Sequence, residues 1–368
     1  MINKIVFCTL RDNKKSPGGP SGVNYMLSLL IGNRLGNLKC VYRFNMSKYG
    51  WRFRFQINIL LFKLSCLLDR KTFYVCHDVV SASVLAGMHK PYSLVYHNQG
   101  PLAFEKENFG IMLSNRTIKK WKAIEYRAFT NAISLHFPSK GAEEMYFENK
   151  YASCTREDVR LNSPLYNSIY ITDSKPMQDI HEDSNSLTFL SLGTLTKNKG
   201  QDRSIQFIES YLESHPRCKI RYIVVGRGPL QESVTGRGRA LMEKYPNFMF
   251  YFFPSLKHEE VMYLHKISDV YLMLHRLSVF DIATLEAMCS HSAIVLSPVG
   301  GNFDFNKKHN IIYASNDYNE AINLLSKDNI SYMKEINYNV YTEFFSNDAF
   351  VDADRRMIEN SIKTTERK

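Results

Sequence analysis

Short apolar runs alternate with amphipathic segments along most of the chain. In the first half, the runs KIVFCTL, FYVCHD and YSLVYHN predict buried strands, and VNYMLSLLIGN and WKAIEYRAFTNA predict helices. A second series of strands begins near residue 187 with LTFLSLG and continues with IRYIVVG, NFMFYFF, VYLML and AIVLS. Buried strands separated by helices are typical of parallel sheets, so the pattern predicts an α/β protein.

A polar and acidic stretch separates the two series of strands. Residues 171–187, ITDSKPMQDIHEDSNSL, contain few apolar side chains and predict a linker. A chain of 368 residues is long for one core and suits two domains. We therefore expect two doubly wound domains that face each other across a cleft. Their expected order is an N-terminal domain over 1–172, a linker over 173–186, a C-terminal domain over 187–345 and terminal helices over 346–368.

Positive charge is concentrated in the first half of the chain. Residues 1–170 contain 24 Lys and Arg against 11 Asp and Glu, whereas the remainder contains 23 against 25. One interpretation is a solvated basic surface, and the other is contact with an anionic surface such as acidic lipid headgroups. The segment WRFRFQINILLFKLSCLLDRK interleaves basic and apolar residues. It suits either a helix at a membrane surface or a core helix with basic flanks.

Several other classes of protein are disfavoured by the sequence. The apolar run over 57–68 is interrupted by Lys63 and is shorter than the roughly 20 residues that span a bilayer. The N-terminal residues suit a buried strand better than a signal peptide. Seven scattered cysteines without a CxxC pair predict reduced thiols, and neither a disulfide framework nor a zinc site. We expect a cytoplasmic protein, with a peripheral position at the inner face of the plasma membrane as a further option.

Loops that contain glycine follow several of the predicted strands. Gly19 and Gly200 stand where such loops lead into helices, and glycine lets the backbone approach a ligand whose negative charge the helix start attracts. Lys199 lies at one of these helix starts and could hold a diphosphate, although a solvent-exposed loop lysine is the simpler alternative. The VVGRGP segment at Gly226 lacks the third glycine of a dinucleotide fingerprint, which disfavours a nicotinamide site.

The stretch SVFDIATLEAM predicts a helix whose start faces a ligand. Asp281 and Thr284 are suitable helix-start residues, and Phe280 can anchor the turn. The backbone N–H groups of this first turn would then point at the ligand. Glu286 is a carboxylate near the helix start and suits bidentate binding of a vicinal diol, the alternative being compensation of the helix dipole.

Several of these motifs together resemble one known family. SLGTLTKNKGQD, VVGRGP, SVFDIATLEAM and SPVGGNFDF occur in the order and at about the spacing of the donor domain of retaining glycosyltransferases of family 4. GGPSGVNYML, LVYHNQG and IEYRAFTNAISLHFPSKGAEEMYF are similar to the family's first domain, and YTEFFSNDAFVDADRRMIE to its last helices. The resemblance implies the GT-B fold, in which two Rossmann-like domains face each other across a cleft and the final helix crosses back to the first domain.

The resemblance also implies an activity. It implies retaining transfer of a hexosyl unit from a nucleotide sugar to a hydroxyl group of a glycan or lipid-linked acceptor. It favours a UDP-sugar over a GDP-sugar and implies no metal and no further cofactor. A part in bacterial surface polysaccharide assembly, such as capsule or O-antigen, is expected on the same ground. No nucleic-acid partner is expected, because the basic half contains no recognised nucleic-acid module.

Particular residues take roles from the resemblance. Glu286 matches the family's second acid and would bind the ribose hydroxyls, while Lys199 would hold the diphosphate. His97 lies in a loop where the family often places a histidine near the transferred sugar; His77, at a similar strand end, is the weaker candidate. The candidate catalytic residues are His97, Lys199 and Glu286. The candidate donor-binding residues are Gly19, Thr194, Lys199, Arg203, Gly226, Arg227, Ser278, Phe280, Asp281, Ile282, Ala283, Thr284 and Glu286.

Three positions depart from the family's pattern. Ser278 stands where the first acid is expected, Asp281 where a glycine is expected, and Thr194 where an arginine is expected. Ser278 and Thr194 favour a second interpretation, a catalytically inactive GT-B protein that binds glycan or nucleotide and supports a partner enzyme. A sugar-nucleotide epimerase of the same fold is a third. The Asp352-Ala-Asp354 segment is similar to a metal-binding motif, but we expect a solvated helix face there.

Overall fold

The computed structural model describes residues 1–9, 19–44, 52–108, 110–180 and 182–367. The chain forms two compact units. The first comprises Met1–Ser168 together with Asn347–Lys368, and the second comprises Ile169–Ser346. The chain therefore enters the second unit once and returns to the first for its last helix.

The first unit contains a six-stranded sheet with helices between its strands. Its elements up to residue 147 are β1 (Lys4–Thr9), α1 (Gly19–Leu30), β2 (Arg34–Leu35), β3 (Leu38–Phe44), α2 (Arg52–Leu68), β4 (Thr72–Cys76), α3 (Val79–Gly87), β5 (Tyr92–Val95), α4 (Leu102–Asn108), α5 (Asn115–Thr130), β6 (Ser134–His136) and α6 (Lys140–Phe147). The strand order is β2-β3-β1-β4-β5-β6, and all neighbours are parallel except the short hairpin of β2 and β3.

The second unit contains a six-stranded, entirely parallel sheet. Its elements, with the final helix of the chain, are β7 (Leu187–Leu192), α7 (Gln201–Ser214), β8 (Ile220–Val225), α8 (Gln231–Lys244), β9 (Phe248–Phe253), α9 (His258–Ile267), β10 (Val270–Met273), α10 (Ile282–Cys289), β11 (Ala293–Leu296), β12 (Ile311–Tyr313), α11 (Asn319–Asn323), α12 (Lys327–Val340) and α13 (Asn347–Glu366). A 3₁₀ turn covers Gly300–Phe305, and a π-helical turn covers Tyr341–Phe345. The strand order is β12-β11-β10-β7-β8-β9.

The predicted α/β architecture of two parallel sheets is confirmed. All eight apolar runs that predict strands form strands; in seven of them consecutive side chains are buried, whereas the edge strand β9 is mostly half-buried. Four strands, β2, β3, β6 and β12, were not predicted from the sequence. In β3 two charged residues, Lys39 and Arg43, interrupt the apolar run, and Arg43 pairs with the distant Asp69, 2.5 Å away. The other three strands have only two or three residues each, too few to give a clear pattern.

Helix α13 is attached to the first unit through buried hydroxyl groups. Ser361 of α13 accepts a hydrogen bond from Ser93 of β5 over 3.0 Å, and its hydroxyl lies 3.2 Å from that of Ser134 in β6. All three side chains are buried. Because hydroxyl groups can both donate and accept, the three satisfy one another away from water.

The expectation of a solvated face at Asp352-Ala-Asp354 is wrong for one of its two acids. Asp352 is exposed and lies 3.4 Å from Arg355. Asp354 is only 2% exposed, and burial raises the pKa of its carboxyl group to about 7. The difference arises because α13 packs one face onto the first unit, and Asp354 lies on that face together with Met357 and Ile358.

A buried carboxyl group, Glu125 of α5, fixes the turn after β5. Its Oε1 accepts hydrogen bonds from the Tyr96 hydroxyl over 2.7 Å and from the backbone N–H of Leu102 over 2.8 Å. Burial nevertheless raises its pKa from an ordinary 4.5 to about 7, which favours the neutral form in the native state. The turn that these bonds hold also contains His97.

Glu125 should make the stability of the first unit depend on pH. The native state keeps a proton that the unfolded state releases, so stability is fully present below the unfolded pKa and falls as pH rises through the folded pKa. We expect a loss of roughly 3 kcal/mol in the free energy of unfolding across that range. Urea denaturation at a series of pH values should show a decline in Glu125→Gln that is smaller than in the wild type by this amount, because Asp354, whose pKa is also raised to about 7, keeps its own contribution in both proteins. The exposed Glu144→Gln should behave like the wild type, and identical pH curves for all three proteins would contradict the assignment.

Candidate functional site

Two helix N-termini meet at the carboxyl edge of the second sheet. Strands β7 and β10 are parallel neighbours at the point where the strand order reverses. Helices α7 and α10 follow these two strands, so both begin at the same edge. Reversal points of this kind are where open α/β sheets bind ligands, and helix N-termini there attract anions.

The loop after β7 is joined directly to the loop after β10. The backbone N–H of Arg276 donates to the carbonyl of Asn198 over 2.9 Å, and the Arg276 guanidinium donates to the carbonyl of Lys197 over 2.7 Å. Arg276 also forms an ion pair with Asp202 of α7 at 2.7 Å. The sequence analysis did not identify this arginine, although its position directly after a buried strand was the available signal.

The glycines of these loops are required by contact with neighbouring backbone. Gly200, which precedes α7, has a φ of +77°, and a Cβ there would lie 1.9 Å from the carbonyl oxygen of Leu274. A Cβ on Gly226 would lie 2.0 Å from the carbonyl oxygen of Gly193. The immediate neighbour of Gly226, a candidate donor-binding residue, is therefore the loop after β7.

The predicted diphosphate ligand, Lys199, forms an ion pair with Asp281. Its Nζ lies 2.6 Å from Oδ1 of Asp281, the residue that precedes α10. The other oxygen of the same carboxylate accepts hydrogen bonds from the Tyr271 hydroxyl at 2.8 Å and the Thr284 hydroxyl at 3.1 Å. The structure thus brings together three of the predicted residues and adds Tyr271, which the sequence analysis had not identified.

The carboxylate of Asp281 is ionised although it is buried. Burial alone would raise its pKa, but Lys199 and the imidazole of His275, whose Nε2 is 3.7 Å away, outweigh that effect. The pKa of Asp281 therefore lies well below its ordinary value. His275 is only 1% exposed, and burial lowers the pKa of its ring.

The predicted ribose ligand, Glu286, faces two histidines of α9. Oε1 of Glu286 lies 2.9 Å from Nε2 of His258, and Oε2 lies 3.6 Å from Nε2 of His265. Burial would raise the pKa of Glu286, but the histidines outweigh it and the pKa is lowered. Sequence reasoning missed both histidines; the signal was their spacing of seven residues, which puts them on one face of a helix.

The remaining residues around α10 occupy distinct environments. Phe280 is buried and stacks on Phe305 with ring centroids 4.7 Å apart, so it anchors the turn as predicted. Ile282 and Ala283 form the half-buried first turn of α10. The hydroxyl of Ser278 is buried and has no hydrogen-bond partner among the described residues.

The other predicted donor residues lie on the rim of this region or outside it. Thr194 and Arg227 are exposed, and Arg203 is half-buried in the first turn of α7. Gly19 is the first residue of α1 in the first unit, and the preceding loop, residues 10–18, lies outside the described residues.

In the first unit, two histidines meet where β4 and β5 end. These strands are parallel neighbours, so His77 and His97 follow adjacent strand ends. Nδ1 of His77 lies 3.0 Å from Nε2 of His97, and the rings stack with centroids 5.3 Å apart. Burial lowers the pKa of His77 well below its ordinary value. His77, the weaker candidate from sequence, is thus the hydrogen-bond partner of His97.

Across the part of the chain that the structure describes, no group of three or more His, Cys, Asp and Glu residues is arranged to hold a metal ion. Lys199, Arg276 and the helix starts are among the positive groups at the edge of the second sheet.

Two doubly wound units define the class of fold, which is GT-B. An α,α-trehalose-phosphate synthase (UDP-forming) from Burkholderia vietnamiensis is similar over 97% of both chains, at 11% identity and a TM-score of 0.65. HepE of Anabaena, solved with UDP and glucose, is similar over 98% of this chain and 100% of its own, at 13% identity and a TM-score of 0.61. The pneumococcal O-GlcNAc transferase GtfA, solved with UDP and GlcNAc, covers 83% of this chain and 60% of its own, at 14% identity and a TM-score of 0.55.

The sequence match lies in the second unit. Residues 174–342 match the family model described as "Glycosyl transferases group 1", which accounts for nearly all of Ile169–Ser346. No curated protein sequence matches the chain significantly. The matched segment is thus similar to glycosyltransferases of this group, and the fold of the chain is GT-B.

Substitution by alanine should have opposite effects on stability at two glycines, Gly200 in the loop contact and Gly236 in a helix. Gly200→Ala should lower the free energy of unfolding by more than about 2 kcal/mol, because it adds both a left-handed strain and a backbone clash. Gly236 lies inside α8, and a Cβ there meets nothing within 4 Å. Gly236→Ala should therefore stabilise the protein by about 0.5–1 kcal/mol. Urea denaturation tests both changes, and equal stability of Gly200→Ala and wild type would refute the described loop contact.

Proposed function

We propose that this protein is a retaining glycosyltransferase that moves a hexosyl unit from a UDP-sugar to a hydroxyl group of a glycan acceptor. The observation that carries the proposal is the carboxyl edge of the second sheet. Two helix starts, Lys199 and the ionised carboxylate of Glu286 gather there, inside the segment that matches the family model. UDP is favoured over GDP because the structural neighbours include a UDP-forming synthase and proteins solved with UDP.

In this proposal each group has a separate task. The carboxylate of Glu286 accepts hydrogen bonds from the vicinal hydroxyls of the ribose, which an ionised and fixed carboxylate does well. Lys199 and the start of α10 stabilise the negative charge that develops on the leaving diphosphate. The unpartnered hydroxyl of Ser278 contacts the donor sugar. His97, with its tautomer fixed by His77, acts beside the transferred sugar.

In these assignments Lys199 and the start of α10 stabilise the diphosphate, a task that a metal ion performs in other transferases. We therefore propose that neither a metal nor a further cofactor is needed. The acceptor is proposed to be lipid-linked and the process to be bacterial surface polysaccharide assembly, such as capsule or O-antigen.

An exposed apolar face on α2 supports a membrane-bound acceptor. Phe62 and Cys66 pack inward, with 3% and 0% exposure. The opposite face and its margin carry six apolar side chains that are each at least 40% exposed: Ile57, Leu60, Leu61, Leu64, Leu67 and Leu68. This exposure favours the interpretation of a surface helix over that of a core helix.

The charges beside this apolar face suit an anionic bilayer. Lys63, Arg70 and Lys71 are exposed. Asp69 is the one acid between residues 56 and 71, and its carboxylate is buried against Lys4 and Arg43. An apolar stripe with basic neighbours and no exposed acid is typical of helices that lie in the interface of anionic membranes. None of the described helices has the length and apolar character needed to cross a membrane.

A nucleotide screen tests the donor site. UDP should raise the melting temperature of the wild type, without divalent metal, more than GDP, ADP or CDP. Glu286→Ala should weaken UDP binding by roughly 1.5–3 kcal/mol, the range for a hydrogen bond to a charged group. Glu320→Ala, at an exposed acid of α11 in the same unit, is the control. Unchanged affinity in Glu286→Ala would remove the ribose assignment.

A vesicle experiment tests the α2 surface. The wild type should sediment with vesicles that contain phosphatidylglycerol and release as salt rises, because surface charges are screened. Replacing Leu60 and Leu64 together by Gln should reduce binding more than tenfold, since it removes two apolar side chains from the stripe. Leu324→Gln, at a leucine that is 45% exposed in the second unit, should bind like the wild type. Vesicle binding that changes neither with salt nor with the double substitution would contradict the assignment of α2 as the membrane-binding surface.

A second candidate function is a binding protein that supports a partner glycosyltransferase without catalysing transfer. The observation in its favour is the ion pair between Lys199 and Asp281, together with Ser278 in the place of an acid. Incubation with UDP-sugars and a polysaccharide acceptor separates the two functions. Release of UDP that depends on the acceptor supports transfer, whereas binding without any release supports the second candidate. Consumption of the UDP-sugar without acceptor would instead indicate an epimerase.

A further inference from the structure

The cation assigned to the donor's diphosphate already has a partner within the protein. Lys199 donates to the carboxylate of Asp281 over 2.6 Å. Resting on the proposed function, we propose that Asp281 is a specificity-determining residue of the donor site. Its carboxylate competes with the diphosphate for Lys199, so the nucleoside, and not the diphosphate, provides most of the binding free energy.

The carboxylate of Asp281 is held in place more firmly than the lysine. It is bonded to the hydroxyls of Tyr271 and Thr284 as well as to Lys199, and the Asp281 side chain is 6% exposed. The Lys199 side chain is 33% exposed. A diphosphate that contacts Lys199 must therefore either pull the lysine away or bind beside a fixed negative charge. Both routes weaken binding of the diphosphate.

A second cation of these two loops, Arg276, is also paired with a carboxylate. Arg276 pairs with Asp202 through two nitrogen–oxygen contacts of 2.8 and 2.7 Å. Lys199 and Arg276 thus each form an ion pair with a carboxylate of the protein, so neither positive charge is uncompensated. His275 adds no charge in its neutral form, and neither of its ring nitrogens has a hydrogen-bond partner among the described residues.

This arrangement separates two parts of the ligand. Glu286, which we assign to the ribose, has an ionised carboxylate and is independent of the ion pair at Lys199. Removing the charge of Asp281 should strengthen binding of ligands that carry a diphosphate and leave nucleoside binding unchanged. The comparison of a nucleoside with its diphosphate is therefore the informative measurement.

The test uses isothermal titration of the full chain with uridine and UDP, without divalent metal. In the wild type, UDP should bind less than tenfold more tightly than uridine. Asp281→Asn keeps the size of the side chain and removes its charge, and it should raise the affinity for UDP at least tenfold with no change for uridine. The gain should disappear in Asp281→Asn combined with Lys199→Ala. Asp328→Asn, at an exposed acid of α12, should change neither affinity.

Each contrary result has a distinct meaning. A wild type that binds UDP more than a hundredfold more tightly than uridine overturns the role of Asp281 and leaves the proposed function intact. An unchanged affinity for UDP in folded Asp281→Asn also overturns the role of Asp281 and leaves the proposed function intact. If the asparagine variant does not fold, Asp281→Gly is used for the same test. If Asp281→Asn binds UDP and the wild type does not, the result supports the role of Asp281 and argues against transferase activity in the wild type. If neither uridine nor UDP binds to the wild type or to any variant, both proposals are overturned.

Discussion

A parallel sheet brings the carboxyl ends of all its strands to one edge, and the candidate site depends on this constraint. Lys199 and Asp281 are separated by 82 residues, yet they meet because β7 and β10 are neighbours. The same constraint brings His77 to His97 in the first unit. Loops that are remote in the chain thus become adjacent as soon as the strand order is established.

Backbone contact then determines how closely the loops approach. The carbonyl of Leu274 occupies the space where a side chain at Gly200 would lie, and Arg276 bonds to the carbonyls of the facing loop. The ion pair of Lys199 and Asp281 is therefore held by two loops that are themselves joined. Both carboxylates near α10 remain ionised in the interior because each has a basic partner, Lys199 for Asp281 and His258 for Glu286.

The sequence predicts those parts of the structure that depend on local pattern. Strands such as β1 and β10 are buried on both faces and were visible as apolar runs, and Phe280 anchors its turn as expected. The partners of the site residues were not predictable, since they depend on strand order. His258 meets Glu286 across 28 residues; the spacing of His258 and His265 puts them on one face of α9 but does not indicate which element that face contacts. The strand β3 was missed for a similar reason, because the acid that neutralises Arg43 lies in another element.

The attachment of α13 has a consequence for the order of folding. The chain leaves the first unit at Ser168 and returns to it at Asn347. During synthesis the hydroxyls of Ser93 and Ser134 therefore cannot form their hydrogen bonds with Ser361 until the whole second unit has been synthesised. The second unit is continuous in sequence and can complete its core first, whereas the unit that begins the chain is the last to close.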